Sequence, residues 1–349
     1  MPLPPILGHD RVLQRFARSL QRGRLASSFL FLGPPGIGKR TTALYLAQCL
    51  LCETTPKDQL AACQTCQGCQ QVAAFTHPDM IVVGKPEDKS FIPVESFIGD
   101  REHRMREGLC HDISLKPFRG GRKVAIVDDA DDLNQEGANC LLKTLEEPPH
   151  GSVLILIGTS EQRQLPTIRS RCQIVRFAPL SQDTVARLLA SHCDLSSEQI
   201  QAVAQCAGGS LSRALELADT EVAETQRALV SRLNQPGFDS RALAEDVGNF
   251  VNAAGKEAPP RRARLRYVIR AFADFYRDMM RQTAMAGEGE RVDGRAETAT
   301  APCHLPAVVA AGCLDRCLEA LVQVDANANL PTLIACWIDD LSERTRRAG

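Results

Sequence analysis

The chain has 349 residues, 44% of them hydrophobic and 24% charged, with a formal net charge of −1. That length suggests two or three domains with ample core, and the near-neutral balance excludes a globally basic nucleic-acid binder. The apolar run VLILIG at 153–158 is of strand length, too short to cross a bilayer. The start, MPLPPILGHD, lacks the regions of a signal peptide, so the 14 cysteines imply reduced thiols, metal ligation and a cytoplasmic protein rather than disulfides.

Residues 10–22 (DRVLQRFARSLQR) carry Val12, Leu13, Phe16 and Leu20 at helical spacing. SSFLFLG follows as a buried strand, then the glycine-rich loop GPPGIGK, then a helix over 43–51. Further strands are predicted at 80–83, 124–127, 153–157 and 173–177, with helical segments between them. Strands alternating with helices imply a parallel sheet covered on both faces. After about Pro179 the pattern becomes helical, and Ser196 with Gln199 forms a candidate capping box. The third region is helical to the end, interrupted by a polar, glycine-containing loop expected at 283–302.

Cys52, Cys63, Cys66 and Cys69 place four soft donors in one short segment, the last three spaced C-x-x-C-x-x-C. Such a set suits tetrahedral Zn(2+) with no open position, which makes the metal structural rather than catalytic. Cys49, one turn earlier, reads as a buried bystander.

GPPGIGKRTT (33–42) follows the phosphate-loop pattern with one departure. Gly33, Gly36, Gly38 and Lys39 are in place to cradle phosphates, but Arg40 stands where a magnesium-binding hydroxyl belongs. Thr41 is next and can partly supply it, so binding of ATP with Mg(2+) stays open. In VAIVDDAD the strand delivers Asp128 toward a metal, and Asp129 takes the place of a water-activating Glu. Both aspartates can instead cap the next helix. Thr159 can sense a terminal phosphate or be an ordinary strand-end residue.

GPPGIGK, the VDDAD strand end, LLKTLEEPP (141–149) and IRSRC (168–172), in this order and with the cysteine insertion, resemble the bacterial clamp-loader subunits of the AAA+ class. The resemblance covers residues 6–215. It implies an α/β AAA+ nucleotide-binding fold over 1–178, a parallel sheet with helices on both faces and a zinc module at 52–69. A small helical lid at 179–242 and an all-α collar at 243–349 follow from it. It also implies partners: gamma/tau and delta subunits in a hetero-pentameric ring of DNA polymerase III, with the sliding clamp and primer–template DNA reached through the complex.

Within the family the motor (gamma/tau) branch hydrolyses ATP and the stator branch does not. Arg40, Asp129 and the glycine-rich segment GGSLSRAL (208–215) favour the stator. The motor's phosphate-sensing arginine would stand at Ser212, and Arg213 is about 100° further round a helix. By the same resemblance Arg171 of the SRC motif is an arginine finger acting in trans on a neighbour's phosphate. Its planar, permanently charged fork suits that task. Lys143 and Glu146 lie on a helix expected to face a neighbouring subunit or DNA, or else to be a solvated face. A zinc-dependent nucleic-acid binder is a third reading, with little support from 5% aromatic residues.

Overall fold

In the computed structural model the described residues are 6–86, 89, 91–119, 121–235, 237–286 and 305–346. The chain divides into two compact units, Met1–Ala218 and Asp219–Gly349.

The first unit opens with α1 (Asp10–Gln21), whose Val12, Phe16 and Leu20 recur every four residues and are buried. Then come β1 (Ser28–Leu32), the glycine loop, α2 (Lys39–Leu51) and α3 (Gln67–Ala73). β2 (Met80–Val83) leads to two short helices, α4 (Glu95–Ile98) and α5 (Leu109–Ser114), before β3 (Lys123–Val127). α6 (Gln135–Glu146), β4 (Ser152–Gly158), α7 (Pro166–Arg169) and β5 (Gln173–Arg176) complete the alternation. The strands form one sheet in the order β2-β3-β4-β1-β5, with every pairing parallel.

The strands alternate their side chains between two buried faces. Phe29, Phe31, Val124, Ile126, Val153, Ile155 and Ile157 meet α1 and α2 on one face. Leu30, Leu32, Ala125, Val127, Leu154 and Leu156 meet α4, α5 and α6 on the other. Leu30 and Phe31 expose 0% of their surface, and burying side chains of that size contributes roughly 1.5–3 kcal/mol each. This is the fold class the strand–helix alternation implies. The C-terminal ends of β1, β3 and β4 lie side by side, where ligands of open parallel sheets are bound.

α8 (Gln182–Ala190), α9 (Ser197–Cys206) and α10 (Leu211–Ala218) belong to this unit. Val185, Leu189, Ala204, Ala207 and Ala214 share the α1/α2-side core. The Ser196–Gln199 capping box is formed in both directions.

The second unit contains α11 (Thr220–Leu233), α12 (Ser240–Asn252), α13 (Ala258–Ala286), α14 (Ala307–Asp325) and α15 (Leu330–Arg346). Its boundary falls at 218/219, inside the segment 179–242 expected as one lid. The reason is that α11 packs with the later helices: Leu229 and Leu233 are buried and Gln226 accepts a hydrogen bond from the Tyr267 hydroxyl. Trp337 is fully buried, its ring 5.1 Å from Phe272. The loop expected at 283–302 is corrected at its start, because α13 runs through Ala286, and residues 287–302 lie outside the described residues. No helix among the described residues is long and apolar enough to cross a membrane.

Candidate functional site

The glycine loop joins β1 to α2, and its geometry explains its composition. Gly36 (φ 73°) and Gly38 (φ 96°) sit in the left-handed region that favours glycine. Gly36 is also crowded: a Cβ there would lie 2.4 Å from Ser210 Oγ and 2.7 Å from Ser212 Cβ. The Leu211 and Ser212 amides donate to the Gly36 carbonyl at 2.9 and 3.4 Å, so the start of α10 is docked on the loop. Lys39 is buried, and its ammonium donates to the Gly33 and Pro34 carbonyls at 2.5 and 2.6 Å. Burial holds its pKa below the usual lysine value, opposed by the negative charges of Asp131, Asp128 and Asp129. Thr41 lies half-buried in the first turn of α2.

Arg40 faces Asp128. Its Nε lies 3.2 Å from Asp128 Oδ2, a pair with the arginine side chain 56% exposed. A guanidinium has donors only, so it cannot ligate a cation, and here it pairs with the Asp128 carboxylate. Asp129 adopts φ 55° and heads a short 3-10 turn (Ala130–Asp132) without any side-chain cap. α6 is capped instead by Asn134, whose side chain accepts from the Gly137 amide. The capping alternative for the two aspartates is therefore not what the geometry shows. Burial, then Asp128, raises the Asp129 carboxyl above the ordinary range, with Lys85 opposing. Thr159 gives its amide (3.0 Å) and its hydroxyl (2.5 Å) to Asp131 Oδ2. Gln164 donates to the other oxygen. The Thr159 hydroxyl is thus tied to Asp131 within β4 and its neighbours.

Two participants escaped the sequence reading. His9 is buried, its Nε2 lies 2.6 Å from the Ile37 carbonyl, and its ring stands edge-on to Phe177 at 4.9 Å. It fixes the glycine loop from the chain's N-terminal side. Gln164 completes the Asp131 cluster. Neither belongs to a motif, and only the fold brings them to the site.

The four cysteines converge. The Sγ atoms of Cys52, Cys63, Cys66 and Cys69 all lie within 4.8 Å of one another. Cys52–Cys66 and Cys63–Cys69 are both 3.9 Å apart, against roughly 3.8 Å between sulfurs of a tetrahedral site with Zn–S near 2.3 Å. The turn through Gln64 (φ 61°) brings the Cys66 amide to 3.2 Å from Cys63 Sγ, and the Cys69 amide donates to Cys66 Sγ at 3.4 Å. Such amide donors stabilise thiolates. At Cys52 burial pushes the thiol up, but bonds from the Cys63 backbone and the Thr55 and Thr54 hydroxyls outweigh it and bring it to about 5. Burial pushes Cys66 and Cys69 upward. Gln48 anchors the segment by donating to the Cys69 carbonyl at 3.0 Å. The cluster can hold a metal ion, and Cys49 is a free, buried cysteine outside it.

Arg171 follows α7 and keeps its side chain 32% exposed. Its Nε and Nη2 donate to Glu146 Oε1 at 2.8 and 2.5 Å, and its Nη1 donates to the Thr167 carbonyl and Ser170 Oγ, both at 3.1 Å. Glu146 therefore faces Arg171, which the sequence did not foretell, while Lys143 on the same helix is exposed.

The family model described as DNA polymerase III, delta subunit matches residues 8–181, and curated delta-prime subunits match 60% and 64% of the chain. The chain belongs to the DNA polymerase III delta-prime family. The delta-prime subunit of Pseudomonas aeruginosa is 36% identical over 214 residues, 60% of this chain and 60% of that protein. That of Bacillus subtilis is 29% identical over 223 residues, 64% and 63% respectively. The tau subunit of Escherichia coli is 32% identical over 228 residues, 62% of this chain and 32% of tau. The chain thus spans about 60% of the length of the delta-prime relatives it matches.

Proposed function

We propose that this chain is the stator of a clamp-loader ring and does not hydrolyse ATP. In this reading it completes a hetero-pentamer with gamma/tau and delta subunits. The ring uses ATP to place a sliding clamp on primer–template DNA during replication. The observation that carries it is the Arg40–Asp128 pair, which puts a fixed guanidinium where catalysis by this fold requires a metal. Ser212 in the sensor position and Asp129 in place of Glu point the same way. The cysteine cluster is a structural zinc centre, and Arg171 is the finger offered to the neighbouring ATPase subunit. Lys143 belongs to the same intersubunit face. α8–α10 act as the lid and the helical unit from residue 219 as the collar.

A motor of gamma type is the second reading. It is favoured by Lys39, which the loop carbonyls hold over the loop, and by Thr41 beside Arg40. Steady-state hydrolysis by the pure chain with primed DNA and clamp decides between them. Turnover at background is expected, together with co-purification of the chain with its cognate ATPase and delta subunits. Robust turnover abolished by Lys39→Ala would establish the motor instead.

A further inference from the structure

The Arg171 guanidinium is held by four hydrogen bonds, and the strongest pair comes from one residue outside its own loop. Glu146 Oε1, at the last turn of α6, takes both Nε and Nη2. The other two acceptors, the Thr167 carbonyl and Ser170 Oγ, lie within four residues of Arg171. Two more arginines stand nearby and neither competes for Glu146. Arg169 Nη2 lies 3.3 Å from Glu161 Oε2, and Arg176 Nη2 lies 2.5 Å from Glu161 Oε1. Each carboxylate thus has its own partners, and Glu146 is given to Arg171.

A free arginine side chain samples many rotamers, and ordering it at the moment of reaction costs rate. A carboxylate that grips the Nε side fixes the plane of the fork in advance while the group stays partly exposed. We propose that Glu146 is the positioning residue of the arginine finger. It touches no nucleotide and acts only by orienting Arg171. The proposal rests on the reading of Arg171 as a finger in trans.

The test uses the whole ring, reconstituted from cognate subunits with wild-type chain or with Arg171→Ala, Glu146→Ala, Glu146→Gln or the double variant. Assembly is checked by gel filtration, and DNA-stimulated hydrolysis is followed over a range of ATP concentrations. Glu146→Ala should lower kcat about threefold or more at unchanged KM, since misorientation affects the transition state and not ground-state binding. Glu146→Gln keeps an acceptor oxygen and should recover part of the loss. The double variant should be no slower than Arg171→Ala alone, because the two residues act as one unit. A Glu146→Ala ring at wild-type rate beside an impaired Arg171→Ala ring overturns the role of Glu146 and leaves the finger intact. Additive losses in the double variant overturn it as well. An unimpaired Arg171→Ala ring removes the finger itself, and the positioning role with it.

Discussion

The cysteine module and the glycine loop both belong to the first unit, yet they stand in opposite conditions. In the module four donors face one another across distances a zinc ion fits. In the loop and beside it, four of the residues expected to face a nucleotide have partners inside the chain. Lys39 is on the Gly33 and Pro34 carbonyls, Arg40 on Asp128, Thr159 on Asp131, and Gly36 on the start of α10. The difference is one of range. The module is complete within 18 residues, Cys52 to Cys69. The loop's surroundings draw on groups that follow β1, β3 and β4 and on the start of α10, far apart in sequence.

The most disruptive way to break the comparison is Cys66→Ser. Structural zinc supplies on the order of 10 kcal/mol of folding free energy in small zinc peptides. Elemental analysis should fall from near one zinc per chain to a small fraction. Limited proteolysis should then cut within 53–65 while the circular dichroism of the sheet persists. A metal-free wild-type chain that resists proteolysis equally well would remove zinc from the module.

Asp131→Ala tests whether the loop's internal pairing holds the fold together. It leaves the Thr159 hydroxyl and the Gln164 amide without their acceptor in a site where the Asp131 side chain is only 8% exposed. A loss of about 2–3 kcal/mol is expected in urea unfolding. A change below about 0.5 kcal/mol would show that water replaces the carboxylate freely.

Arg40→Thr sharpens the contrast by returning the missing hydroxyl and releasing Asp128. The arginine of the pair is largely exposed, so stability should move by less than about 1 kcal/mol. Titration with a fluorescent ATP analogue should reveal affinity that depends on Mg(2+), strengthened roughly tenfold over binding in EDTA. Equal affinity with and without the metal would show that Arg40 is not what excludes it.

The smallest effect belongs to Asp129→Asn. The Asp129 carboxyl is held above its unfolded value of 3.8 chiefly by burial, so the folded state binds the proton more tightly than the unfolded one. Below that unfolded value both states are protonated and the charge costs nothing. As pH rises past it, the cost of the charge grows and then levels off above the folded value. Asparagine also tolerates the left-handed backbone. The variant should therefore gain stability at pH 7 and nothing near pH 3. A gain that is equal at both pH values would place its origin elsewhere.

The sheet was legible because its strands are short apolar runs bounded by glycine, proline and charged residues, and the cysteine cluster because its donors are local. The capping box at Ser196 and Gln199 was legible for the same reason. Short helices such as α4 and α5, with four and six residues, carry too little periodicity to be seen. The partners His9–Ile37, Gln164–Asp131 and Glu146–Arg171 are 28, 33 and 25 residues apart, and no spacing rule links them. The placement of α11 with the second unit depends on Leu229 and Leu233 finding a core that the amphipathic pattern alone does not name.

The strand order carries a consequence for how the chain is made. β1 is an interior strand, yet its two neighbours are β4 and β5, paired as Phe29 with Ile155 and with Gln173. During synthesis β1 emerges early and waits for more than a hundred further residues before either edge can be matched. Contacts so distant along the chain form slowly, and unpaired apolar strands invite misassembly meanwhile. The segment from Cys52 to Cys69 has no such wait, since it can close on a metal as soon as it leaves the ribosome. β1 and the loop that follows it can therefore be flanked by their sheet neighbours only when residues 152–176 have arrived.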